Sequence, residues 1–140
     1  MEQRDYILRE IEKTGLLLRK ILNSLTGDTE NSAIITNRFE EVYTQMHNET
    51  GIDINKILSL NETNLLEFFS QHKEFNTNNI EMLAEILLTL GLNENNSCRQ
   101  EYLGTALRLY SYSAHSSKTF SVGREHKMNI IENMIKELGI

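Results

Sequence analysis

The sequence predicts an all-α protein of about six helices, packed as antiparallel hairpins in a tetratricopeptide-like array. Three observations predict it. The chain has no Pro and only two Val, Val42 and Val122, while Leu and Ile abound; β proteins lean instead on Val, aromatics and Pro/Gly turns. Apolar residues recur at three- and four-residue spacing over long stretches. Four of the seven glycines, Gly27, Gly51, Gly91 and Gly139, follow such stretches, where a left-handed residue closes a helix without steric cost. With 140 residues, 39% of them hydrophobic, and a mean hydropathy of -0.40, the chain reads as one globular domain. An N-terminal helical hairpin over 1–51 precedes a helical-hairpin array over 53–140.

The first helix is expected from about Asp5 to Leu25. Leu8, Ile11, Gly15, Leu18, Leu22 and Leu25 form one seam, and Gly15 on that seam marks a close crossing by another helix. The second, about Ser32 to Glu49, carries Ile35, Phe39, Val42, Tyr43 and Met46. "IDINKIL" reads as a turn. Asn61, or a Ser59–Glu62 capping box, opens a third helix that buries Leu65, Leu66, Phe68 and Phe69. The fourth, about Asn78 to Leu90, turns Ile80, Leu83, Ala84 and Leu87 inward. "NENN" at 93–96 is a turn, and Ser97 with Gln100 matches a capping box for the fifth helix. Its face of Leu103, Ala106, Leu107, Tyr110 and Ala114 is widened by Tyr102 and Leu109, enough to touch two neighbours. Ser121 caps a sixth helix bearing Ile130, Ile131, Met134, Ile135 and Leu138. Gly104 and Gly123, like Gly15, lie inside or at the start of helices and suggest close backbone approach.

Charge and cysteine content narrow the function. A net charge of -6 argues against nucleic-acid binding, which needs a basic face. The longest apolar run, Ile86 to Leu92, is too short to cross a bilayer, and the charged opening MEQRDYILREIEK has no signal-peptide character. The lone Cys98 excludes an intrachain disulfide and fits a reducing, cytoplasmic setting. The charge is unevenly distributed: residues 28–101 hold thirteen acids against four Lys/Arg, whereas 102–131 hold Glu125 against Arg108, Lys118, Arg124 and Lys127. "RLYSYSAHSSKTFSVGREH", residues 108–126, is therefore a basic island on an acidic protein.

The two ends, "DYILREIEKTGLLLRKIL" at 5–22 and "ALRLYSYSAHSSKTFSVGREHKMNIIENMI" at 106–135, resemble an uncharacterised family of small all-helical bacterial proteins. They cover about a third of the chain. The resemblance implies a tetratricopeptide-like fold and supplies no activity. "YLGTAL" places Leu103 and Gly104 at the tetratricopeptide spacing, but Gln100 stands where that repeat has an aromatic residue, and no second copy lies 34 residues away. Gly123 stands where the family pattern has Glu before Arg124.

No catalytic, cofactor or metal site is expected. His47, His72, His115 and His126 form neither H-x-x-x-H nor H-E-x-x-H and read as exposed helix-end residues. Glu40 and Glu41, adjacent on a helix, do not face each other. No triad, glycine-rich phosphate loop or G-x-S-x-G is present. The leading expectation is a non-enzymatic protein-interaction or scaffold module, its protein partner unknown, with a homodimer expected through Leu16 and Leu17, which lie off the first helix's seam. The alternative is a small-ligand or anion-binding regulatory protein. Arg108, Tyr112, Lys118, Ser121 and Arg124 are the candidate contacts in either case, Tyr112 being placed opposite the core face beside Arg108. The bland alternative for the island is that Ser121 simply caps a helix and that the cations are solvated or pair with the acidic middle.

Overall fold

Helix formers and apolar stripes build seven helices and no strand among the residues that the computed structural model describes, 2–26, 32–93 and 98–138. In chain order they are α1 (Glu2–Thr26), α2 (Ser32–Thr50), α3 (Ile54–Leu58), α4 (Glu62–Gln71), α5 (Thr77–Asn93), α6 (Cys98–Ser117) and α7 (Val122–Glu137). The all-α class holds. The additional helix is α3: "IDINKIL" forms a full turn because the Asp53 carboxylate caps the Asn55 N–H at 3.0 Å, and Ile54 and Ile57 are buried.

The other caps are equally local. Asn61 accepts from the Asn64 N–H at 2.8 Å and opens α4. Asn76 accepts from the Asn79 N–H at 3.0 Å ahead of α5. Gly51, just after α2, has φ 73 and takes the left-handed seat expected of it. Gly91 does not: it lies inside α5, which continues to Asn93. The Arg99 guanidinium instead serves the end of α5, donating to the carbonyls of Gly91 at 3.0 Å and Leu92 at 2.7 Å. Gly27, Gly139, Ser97 and most of "NENN" lie outside the described residues.

α5 and α6 form the central antiparallel hairpin. Gly91 late in α5 meets Tyr102 early in α6, while Glu81 early in α5 meets Ser113 late in α6. Ile80, Leu83, Ala84, Ile86, Leu87 and Leu90 of α5 are all buried, as are Tyr102, Leu103, Ala106, Leu109 and Tyr110 of α6. The broad face predicted for this helix is therefore real, and it touches α5, α7, α3 and α4. A Cβ at Gly91 would sit 2.8 Å from the Tyr102 Cβ, so the close approach of the hairpin requires glycine there.

α1 crosses α5 at Gly15. The missing side chain lets Asn79, buried in α5, reach the α1 backbone: its Nδ2 donates to the Ile11 carbonyl at 3.0 Å and to the Glu74 carbonyl at 2.8 Å. Thr14, Gly15, Leu18, Ile21 and Leu25 face this crossing and the core. Leu8, expected on the seam, is 49% exposed. The first turns of α1 border a groove with the ends of α2 and α4 rather than packing on a helix. The close approach expected at Gly104 and Gly123 is absent; a Cβ at either meets nothing nearer than 3.7 Å. Leu66 is exposed while Leu65 and Phe69 are buried, because the short α4 presents only one stripe.

Candidate functional site

The island at 108–126 is the end of α6, a turn and the start of α7. Lys118 follows the last residue of α6, and its N–H donates to the Ala114 carbonyl at 3.2 Å. This is the left-handed helix stop usually given to glycine. Lys118 adopts φ 56 there, a conformation that costs a residue with a Cβ about 1 kcal/mol. Three residues on, Ser121 caps α7, its hydroxyl accepting from the Arg124 N–H at 3.2 Å.

That cap delivers Arg124 into the protein. Its side chain is 3% exposed and its Nη1 lies 3.2 Å from Glu81 Oε2. A second guanidinium N–H donates to the Thr119 carbonyl, tying the turn to α7. The same Glu81 oxygen accepts from the buried Ser113 hydroxyl at 2.6 Å. One turn further along, Lys127 Nζ lies 3.1 Å from Glu85 Oε1. Glu81 and Glu85 are four residues apart on α5, and Arg124 and Lys127 three apart on α7, so each pair shares a helix face. Two ion-pair rungs fasten α7 to the central hairpin. On the inner rung the Arg124 end is buried, so its charge depends on Glu81, which is itself 28% exposed.

The five island residues expected to act together are divided. Ser121 and Arg124 line one depression of about 400 Å³ with Glu81, Glu85, Arg19 and Tyr110. Arg108 lines another with Leu58, Glu101 and Ile135, and its Nη2 donates to Thr105 Oγ1 at 2.9 Å. Tyr112 is not opposite the core: it is half-buried, with its ring 5.1 Å from that of Phe69. Lys118 is exposed. Tyr102 is buried against Gly91.

The sequence pattern places Tyr110 only in the core and marks none of Glu81, Glu85 and Ser113. The usable signal was spacing: two carboxylates four apart on one helix match two cations three apart on another. Tyr110 is 1% exposed, and its hydroxyl has no hydrogen-bond partner among the described residues. Burial, then the charges of Glu85 and Glu81, push its ionisation well above the usual tyrosine value of 10.0, so it stays a phenol.

Of the histidines, His47, His115 and His126 are exposed. His72 is not: its ring stacks on Phe68 at 4.3 Å and its Nδ1 lies 3.2 Å from Glu74. Among the described residues no group of three His, Cys, Asp or Glu side chains is arranged to hold a metal ion, and no helix is long and apolar enough to cross a membrane.

Leu16, on α1, is 65% exposed. Leu17 is partly buried and packs against the core, so the two leucines do not form one free surface. Comparisons with protein-family models, with curated proteins and with solved structures return no match to this chain.

Proposed function

We propose that the protein is a non-enzymatic interaction module whose protein partner docks on the corner between α6 and α7. The observation that carries this reading is the exposure of Phe120 and Val122, 77% and 74%, on either side of the Ser121 cap. An apolar residue just before an N-cap ordinarily packs on the residue five positions later. Here that residue is Glu125, and the ring stays outside. Lys118, also exposed, adds a cation in a left-handed backbone seat. A non-glycine outlier of that kind, on a turn tied down by Arg124, supports a functional role for the turn.

An aromatic anchor beside a cation has the make-up of a contact hot spot. The partner that suits it carries an apolar pocket with an acidic rim. Such a partner would be steered to this corner and repelled by the acidic stretch at 28–101. The reading keeps the helical hairpins as a tetratricopeptide-like scaffold of a cytoplasmic bacterial protein.

A homodimer through α1 is the second reading, favoured by Leu16 at 65% and Leu8 at 49% exposure; Leu17 no longer contributes to it. The test is affinity capture from native cytoplasm, followed by mass measurement of the intact complex. Wild-type protein should retain a partner that Phe120→Ser loses. Retention of the same partner by Phe120→Ser combined with Val122→Ser would refute docking at the corner. Loss on Leu16→Glu, with a mass of two chains in the wild type, would select the dimer.

A further inference from the structure

Behind the exposed corner, the first turn of α7 opens onto the depression of about 400 Å³ walled by α1, α5, α6 and α7. Most of its charge is already committed. Glu81 is held by Arg124 and Ser113, and Glu85 by Lys127. The groups that remain are hydrogen-bond donors. The Tyr110 hydroxyl and the Arg124 Nε–H are both buried, both belong to residues lining the depression, and neither has a partner among the described residues. The Gly123 N–H, second in α7, is also without a partner among those residues. It belongs to the helix end where N–H groups are free and the dipole is positive. Gly123 is exposed, and a Cβ on it would meet nothing nearer than Ser121 Oγ at 4.0 Å. Arg19 of α1 reaches the rim, exposed and in no ion pair among the described residues.

We propose that this depression binds a small phosphate-class oxyanion, held by Arg19, the Tyr110 hydroxyl and the Gly123 N–H. A set of unused donors calls for a ligand that only accepts, and buried donors left unpaired cost stability that such a ligand recovers. A helix N-terminus joined by an arginine is the usual setting for a phosphate group. The charges facing the depression are Arg19, Arg124 and Lys127 against Glu81 and Glu85, a balance of 3 - 2 = +1 that favours an anion modestly. The volume falls within the roughly 300–1,000 Å³ of small-ligand sites, which points to a phosphorylated small molecule. This goes beyond the docking reading and does not depend on it.

The test is a titration of the full-length chain with inorganic phosphate at constant ionic strength, followed by the Gly123 amide resonance and by the melting temperature. Acetate forms a parallel arm. Phosphate should move the Gly123 amide saturably in the millimolar range and raise the melting temperature. Arg19→Gln and Tyr110→Phe should each weaken binding roughly tenfold, the size of one hydrogen bond to a charged group. Arg19 is exposed, so its variant decides the matter even if Tyr110→Phe folds poorly. Phe120→Ser should leave the titration unchanged, which separates this site from the docking surface. No saturable shift at tens of millimolar phosphate, equal saturation by acetate, or undiminished binding by Arg19→Gln would each overturn the proposal.

Discussion

The crossing of α1 over α5 and the corner between α6 and α7 are both close helix contacts, made from opposite materials. At the crossing a side chain is missing: Gly15 removes a Cβ, and Asn79 uses the opening to bond the α1 backbone. At the corner a long side chain is present: Arg124 passes beneath the turn and pairs with Glu81 from another helix. The first contact is set by the space that Gly15 leaves, with the Asn79 hydrogen bonds fitted into it. The second depends on every partner of a buried charge being in place. The difference predicts how each should fail, because a steric contact fails on addition and a polar one on removal.

Gly15→Leu should do the greatest damage. The new side chain collides with Asn79, whose Oδ1 lies 3.0 Å from the position of a Cβ. It would add an overpacking cost of about 1–3 kcal/mol to two lost buried hydrogen bonds. A loss near 4 kcal/mol is expected by chemical denaturation. An unchanged or raised stability would put Gly15 against solvent and leave only the propensity gain of about 1 kcal/mol.

Glu81→Ala comes next. It removes no apolar contact of consequence but leaves Arg124 charged, 3% exposed and unpaired, and Ser113 without its acceptor. Removal of one partner from a buried pair costs about 3–5 kcal/mol. Glu81 is itself 28% exposed, so about 3 kcal/mol is expected in thermal or denaturant unfolding. A loss below 1 kcal/mol would make the corner a solvated surface and erase its contrast with the crossing.

Ser121→Ala should cost about 1 kcal/mol through the lost cap and no more, since Arg124 keeps Glu81. Phe120→Ser should barely change stability, because its ring is outside; a cost above 1 kcal/mol would show that the corner buries Phe120 against something.

The crossing was legible in the sequence and the corner only in part: its turn and the Ser121 cap were, the partner of Arg124 was not. A glycine on an apolar helical seam is costly enough to need a reason, and one short stretch contains the whole signal. Ile80, Leu83, Ala84 and Leu87 were legible likewise, because apolar spacing of three and four has a single burial solution. Leu66 misled because it adjoins a buried leucine, and a ten-residue helix has room for one buried stripe only. Gly91 misled because a glycine near a helix end is normally a stop, whereas here Arg99 supplies the terminal hydrogen bonds and the missing Cβ serves Tyr102. The sequence offers Arg124 as an anion or partner contact, or as a cation solvated or paired with the acidic middle, and it does not single out Glu81, because that partner lies 43 positions away. A count of local charge does not distinguish Arg124 from Lys118, six residues earlier, which is exposed.

The central claim is that the Glu81–Arg124 pair locks α7 to the hairpin and so holds the corner in its outward presentation. A double-mutant cycle tests it most directly: Glu81→Gln, Arg124→Met and the combination, each unfolded in denaturant under one set of conditions. The account predicts a coupling energy of at least about 1 kcal/mol, with the double variant more stable than the sum of the two losses implies. Losses that add to within about 0.5 kcal/mol would mean that the two side chains do not hold each other, and would contradict it.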